Sequence, residues 1–147
     1  MNSEYSIIHT SWQQHQAEIR NIRLKVFVEE QQVPIELEWE GNDDDYHYVL
    51  ALDNKNQAIA TGRIGADGHI GRMAVLKPWR HKGVGSTMLE ALLEYAQQQN
   101  IDRIFLNSQS SAIPFYEKQG FQIISEEFMD AGIPHKTMEK CITKAHE

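Results

Sequence analysis

Apolar positions recur along the chain in two different periods, and the switches between them lay out the elements. Tyr5 to His9 reads as a short first strand. Ile19, Ile22 and Val26 then share one face of a helix that should run to about Glu30. A capping box opens it, at Thr10 and Gln13 or in an equally good frame at Ser11 and Gln14, and Pro34 rules out its continuation. Gln31 to Asp45 breaks the pattern and reads as a loop. Tyr46 to Asp53 and Gln57 to Ala66 read as strands joined by the turn Asn54-Lys55-Asn56. Asp67-Gly68 is a hairpin signal leading into a strand from His69 to Val75. Val84, Met88, Ala91, Leu92 and Tyr95 return to helical spacing, in a helix ending near Asn100. Arg103 to Asn107 is a strand after a helix, which makes a crossover with locally parallel strands. Ala112 to Lys118 is a short helix with Pro114 in its first turn, stopped by Gly120. Phe121 to Met129 reads as a strand. Ala131-Gly132-Ile133-Pro134 turns the chain into a last strand from His135 to about Thr143.

The order β-α-β-β-β-α-β-α-β-β predicts an α/β (α+β) mixed sheet with helices on both faces, neither doubly wound nor a sandwich. A chain of 147 residues suits one domain, taken here as 1–147. The net charge of −7 argues against coating nucleic acid. A single cysteine, Cys141, leaves no internal disulfide and no cysteine metal cluster, and no metal is expected. No window reaches the ~18 apolar residues of a membrane helix, and the N-terminus has no basic stretch followed by an apolar run. The expected setting is the cytoplasm, without a membrane partner.

The stretch with the most chemistry joins the strand ending at Val75 to the helix beginning at Val84. Its turn, Arg80-His81-Lys82-Gly83-Val84-Gly85, is basic and glycine-rich. The first N–H groups of a helix lack partners within it, and its dipole favours negative charge there, so such a turn is suited to phosphate. The spacing does not fit a nucleoside-triphosphate loop, because Lys82 precedes the glycines. Nor does it fit a dinucleotide fingerprint, because position 88 is Met.

The turn resembles the acyl-CoA loop [RQ]-x-x-G-x-[GA] of the GNAT N-acetyltransferase superfamily at every fixed position. A second landmark of that family, A-x-x-F-Y-x-x-x-G-F, is present from Ala112 to Phe121. The N-terminal half is similar to the ElaA-like branch, through Arg23-x-x-Val26-Phe27-Val28-x-Glu30-Gln31-x-x-Pro34, an acidic run and His47. Gly132-Ile133-Pro134-His135-x-x-Met138 matches the same branch. One position departs from the pattern: many members carry Asn where this chain has Gln109.

The resemblance implies acetyl-CoA as co-substrate. Met73, Ala74 and Val75 are then expected to pair with the pantetheine amides. Arg80, Lys82 and the N–H groups from His81 through Gly83 and Val84 to Gly85 are expected to receive the pyrophosphate, with a hydroxyl from Ser86 or Thr87. The strands ending at Val75 and Asn107 should splay to leave a slot for the thioester, and an N–H near Val75 should polarise its carbonyl. Gln109, Ala112 and Phe115 are expected beside the coenzyme. Tyr116 is the expected general acid for the leaving thiolate, and Cys141 is expected to be packing.

The general base is open between Glu30, His135 and His47. The acidic run Glu36, Glu38, Glu40, Asp43, Asp44 and Asp45, with Trp39 inside it, reads either as a solvated loop or as an acceptor-binding surface. The second reading predicts a cationic, amine-bearing acceptor, a small molecule or a peptide. Two classes of function remain at this stage: acetyl transfer to a primary amine by direct attack, or a non-catalytic acetyl-CoA-binding module that regulates a protein partner. A homodimer is compatible with the family.

Overall fold

The computed structural model describes residues 4–38 and 41–142. Trp39, Glu40 and Thr143 lie outside the described residues. Strands β1 (Tyr5–Thr10), β2 (Tyr46–Asp53), β3 (Ala58–Gly65) and β4 (Ile70–Val75) form an antiparallel sheet in that order. Alternation along β2 divides its side chains between two cores. Tyr48 and Leu50 pack with Trp12, Ile19, Ile22 and Val26, which come from the first helix and the segment that continues it. Val49 and Ala51 pack with Val84, Met88, Leu89 and Leu92 of the helix after β4. Helices therefore cover both faces, as the element order predicts.

The first helix, α1 (Trp12–Arg23), is capped by Ser11, whose hydroxyl accepts the Gln14 N–H at 3.2 Å. It continues to Glu30 as expected, but Leu24–Glu30 widens into a π-helix. There the Gln31 N–H reaches the Val26 carbonyl, five residues back, at 3.0 Å.

The expected loop from Gln31 to Asp45 contains a short helix α2 (Ile35–Glu38) and a single turn at Asp43–Asp45. It is a solvated acidic surface only in part, since Glu36, Asp44 and Asp45 are exposed. Glu38 and Asp43 are buried, and both are paired with arginines. Arg23 Nε donates to Glu38 at 2.7 Å, and the Arg23 and Arg63 guanidiniums each reach Asp43 at 2.9 Å. Arg72 reaches Glu38 at 3.1 Å. Burial alone lowers the Arg23 pKa, but the hydrogen bonds and charges of Glu38 and Asp43 overcome it and hold the group above its ordinary value. Carboxylates at these depths persist only when paired in this way.

A bulge interrupts β3 and β4. Thr61 pairs Ala74 and Arg63 pairs Gly71, so Arg72 and Met73 together oppose Gly62. Arg72 takes φ +51°, a left-handed conformation uncommon for a non-glycine residue. After β4 come α3 (Val84–Gln98) and β5 (Arg103–Gln109). β4 and β5 meet through a parallel bridge between His69 and Phe105, and the Phe105 N–H donates to the Gly68 carbonyl at 3.0 Å. Gly68 has φ +92°, and a Cβ there would stand 2.1 Å from the Arg103 carbonyl oxygen, so only glycine fits. Past this bridge the two strands share no ladder among the described residues, which is the expected splay.

The second sheet has β8 (Ile133–Cys141) at its centre, with β5 on one side and β6 (Gln122–Ile123) and β7 (Phe128–Asp130) on the other. α4 (Ile113–Lys118) connects β5 to β6. The single strand expected from Phe121 to Met129 is thus broken. The Ser125 hydroxyl accepts the Thr137 N–H at 2.8 Å where a strand carbonyl would stand. The following turn is also tighter than expected. Ala131 and Gly132, at φ +54° and +78°, reverse the chain between Asp130 and Ile133, which places His135 inside β8. Among the described residues no helix is long and apolar enough to cross a membrane.

Candidate active site

A cleft of about 870 Å³ occupies the gap between β4 and β5 and passes through the sheet from the α3 face to the α1 face. Its α3 end is built from Met73, Val75, Val84, Gly85, Ser86, Ala112, Phe115 and Tyr116. These residues, with Ala74, Arg80, His81, Gly83, Gln109 and His135, are expected site positions that the fold brings together on one cleft. Lys82 and Glu30 are outside its lining. Lys82 lies with its ammonium 5.9 Å from the Trp79 ring centroid.

The turn before α3 offers amide groups rather than side chains. Gly83 is the N-cap in a left-handed conformation, and no side chain caps the helix. His81 also has a positive φ, +63°. Consecutive N–H groups in such a turn form a concave anion site, strengthened by the dipole of a 15-residue helix. A Cβ on Gly83 would meet nothing within 4 Å among the described residues, so the space in front of the turn is open. Ser86 lines the cleft, its hydroxyl receiving Gln119 Nε2 at 3.3 Å. Thr87 faces elsewhere, bonded to the Gly83 carbonyl and 3.0 Å from the Tyr5 hydroxyl.

Arg80 is committed within the chain. Its guanidinium holds Glu30 through both carboxylate oxygens at 2.5 and 2.7 Å, while its Nε donates to the Val75 carbonyl at 2.9 Å. The hydrogen bond from Arg80 holds the Glu30 carboxyl below its usual range. A carboxylate so engaged is a poor proton acceptor, and Glu30 fits a positioning role rather than that of a base. The same geometry orients Val75. The Leu76 N–H bonds to Ile59 on the β3 side, so Val75, one residue earlier, turns its amide away from β3 and toward the slot. Gln109, at the end of β5, donates to the Gln31 side chain at 2.8 Å and links the π-helix end to the splayed strand.

Tyr116 is buried, and its ring stands edge-on to Phe115 and Phe121. Its hydroxyl makes no hydrogen bond among the described residues, and burial pushes its pKa up to about 12. His135 donates from Nδ1 to the Ile133 carbonyl at 2.7 Å, which leaves Nε2 as the ring nitrogen not engaged in that bond. Its ring stacks on Phe128. His47 lies elsewhere. It is stacked on Tyr95 with ring centroids 3.6 Å apart and sits 2.7 Å from His9, in a separate recess with Asp44 and Asp45. Burial and then His9 depress its pKa to about 4. Cys141 is exposed at the end of β8, away from the cleft.

The residues that build the α1 end of the cleft are not among the expected site positions. Val26 and Phe27 of the π-helix, Val33, Gly71 and Arg72 line it. The one available signal was Gly71 itself, an isolated glycine in an apolar strand, which marks a bulge or a close approach. Of the described acidic-loop residues none lines the cleft, and its acidic side chain is Asp130 of β7.

Residues 11–142 match the family model described as an acetyltransferase (GNAT) domain. The chain is 38% identical over 122 residues to the uncharacterized N-acetyltransferase YjcF of Bacillus subtilis (strain 168), covering 81% of this chain and 87% of that protein. It superposes on the crystal structure of Escherichia coli ElaA with a TM-score of 0.81 at 25% identity, covering 92% of this chain and 99% of that one. A Bacillus anthracis structure solved in complex with acetyl coenzyme A covers 69% of this chain and 65% of its own, at 23% identity and a TM-score of 0.59. An open strand edge, an uncapped helix N-terminus and a through-sheet cleft are what an acyl-CoA requires, and the chain is an acetyltransferase belonging to the ElaA-like branch of the GNAT family.

Proposed function

We propose that the protein transfers the acetyl group of acetyl-CoA to a primary amine of a small molecule or peptide in the cytoplasm, by direct attack. The observation that carries this reading is the convergence on one cleft of the Val75 amide, the unbonded Tyr116 hydroxyl and His135 Nε2. Pantetheine adds to the open edge of β4 as an extra strand, and the pyrophosphate takes the amides of the turn before α3. The Val75 N–H donates to the thioester oxygen as negative charge develops there. His135 Nε2 takes a proton from the incoming ammonium, directly or through water. The amine nitrogen forms the C–N bond and the C–S bond breaks; the sulfur leaves as a thiolate that accepts a hydrogen bond from Tyr116, and the second nitrogen proton passes to water as the amide forms. Glu30 acts at one remove, by fixing Arg80 and through it the end of β4.

The test is thiol release from acetyl-CoA across an amine panel, beside a thermal-shift titration with acetyl-CoA. Stabilisation by acetyl-CoA together with amine-dependent thiol release is the expected result. Gly83→Glu, which puts bulk and charge into the anion site, should abolish both. Stabilisation without turnover for any amine would favour a regulatory acetyl-CoA-binding module.

A further inference from the structure

The α1 end of the cleft has a character of its own. Cross-strand pairing sets which side chains face it. Ile70 pairs Ile64, and both belong to the α3-side core. Gly71 pairs Arg63, whose guanidinium reaches Asp43 beneath Tyr48 on the α1 side. A side chain at position 71 would therefore point to the α1 face, beside Ala74. Among the described residues a Cβ on Gly71 meets nothing within 4 Å. β4 thus presents its two smallest side chains, Gly71 and Ala74, to the α1 end. Across from them stand Val26, Phe27 and Val33, delivered by the widened π-helix and the residues after it. Ile133 lines the cleft from β8. The guanidinium of Arg72 lies over the Phe27 ring, 5.9 Å from its centroid, with its charge turned to Glu38.

We infer that the acceptor received at this end is an amine carried on an apolar, preferably aromatic, body. The inference rests on the acetyl-transfer reading above. The α3 end is occupied by the anion turn and Tyr116, so the acceptor enters from the α1 face. The side chains suited to an ammonium, Asp130 and His135, stand on β7 and β8 at one wall. The other side chains here are the apolar Val26, Phe27, Val33, Ala74 and Ile133. Beside them are Arg63 and Arg72, which are paired with Asp43 and Glu38, and Gln31, which is bonded to Gln109. β4 leaves the space over Gly71 unfilled. A ring slides between Gly71 and Phe27, which matches the need of an apolar pocket for a few polar groups that set orientation. A polyamine finds no row of carboxylates here, since Glu38 and Asp43 point to arginines.

The experiment measures kcat/KM by thiol release for phenethylamine, spermidine, ethanolamine and a lysine-containing tetrapeptide, on wild type, Gly71→Val and Gly71→Ala. Acetyl-CoA affinity is followed by thermal shift, and a propionyl-, butyryl- and hexanoyl-CoA series is run in parallel. Phenethylamine should exceed spermidine by about 10-fold or more, the scale on which apolar pockets discriminate. Gly71→Val should remove most of that preference through KM, with Gly71→Ala intermediate and acetyl-CoA binding unchanged. Should Gly71→Val not fold, Gly71→Ala and Phe27→Ala carry the test, and both should narrow the same preference. A preference for spermidine or the peptide overturns the inference while leaving acetyl transfer intact. So does a Gly71→Val effect that appears as a change of acyl-chain length rather than of amine. Absence of thiol release with every amine overturns the acetyl-transfer reading and this inference with it.

Discussion

Replacing Tyr116 with Phe isolates one atom of the proposed chemistry. The ring's edge-on packing against Phe115 and Phe121 survives the change, and the lost hydroxyl has no hydrogen-bond partner among the described residues. Stability at neutral pH should therefore shift by no more than about 0.5 kcal/mol. The size of the kinetic effect follows from the raised pKa, about 12. A thiol titrates near about 8.5, so complete transfer of the tyrosine proton to a thiolate is uphill by several pKa units, on the order of 5 kcal/mol. The hydroxyl then contributes as a hydrogen-bond donor to a charged sulfur, an interaction of about 1.5–3 kcal/mol. That range converts to a loss of about 10–150-fold in kcat. The assay is single-turnover thiol release at saturating acetyl-CoA and amine, so that product release does not mask chemistry. A wild-type rate would remove Tyr116 from the mechanism. A loss beyond about 1,000-fold would mean that the proton is fully transferred and that the hydrogen-bond account is wrong. Alkaline unfolding gives a second reading. Because the folded protein favours the neutral phenol, Tyr116 stabilises it fully below pH ~10, and that contribution is lost as pH rises from about 10 through about 12. Tyr116→Phe should flatten this part of the stability profile.

Other substitutions test the scaffold and the remaining roles. Gly68→Ala drives a Cβ to 2.1 Å from the Arg103 carbonyl at the one point where β4 and β5 join, and it should be the most destabilising glycine change, by more than about 3 kcal/mol in urea unfolding. Gly62→Ala places a Cβ 2.4 Å from Met73 Sδ, so Met73 must move into the cleft; a cost of about 1–3 kcal/mol with weakened acetyl-CoA binding is expected, and intact binding would deny Met73 a place against the coenzyme. His135→Gln should erase the acidic limb of kcat/KM against pH, whereas Glu30→Gln should keep the limb and weaken acetyl-CoA binding by loosening Arg80. His47, whose pKa is lowered to about 4 in the fold, contributes stability above its ordinary value of about 6.5 that is lost as pH falls toward 4. Urea midpoints of His47→Gln should fall less over that interval than those of wild type.

The coenzyme half of the site was legible in the sequence because its machinery is local. An anion turn needs a strand, glycines and a helix N-terminus in immediate succession, and Arg80 to Gly85 supplies all of these within six residues. The acceptor half was not legible, because it is made by register and by charges far apart in the chain. Glu38 and Asp43 read as solvated until Arg23, Arg63 and Arg72, from three separate elements, are placed against them. No local pattern distinguishes a carboxylate facing water from one facing a guanidinium. The bulge has the same origin: only pairing with β3 reveals that Arg72 and Met73 share one partner, and that Gly71 leaves a gap on the α1 face. The π-helix follows a sequence that reads as ordinary helix, since the widening depends on where Gln31 and Val33 find their carbonyls. These features act together. The widened turn carries Val26 and Phe27 toward β4, the bulge opens the floor beneath them, and the arginines take up the charge of Glu38 and Asp43. The inferred preference for an amine with an apolar body thus rests on residues brought together by the fold, whereas the acidic run read singly suggested an acceptor drawn in by carboxylates alone.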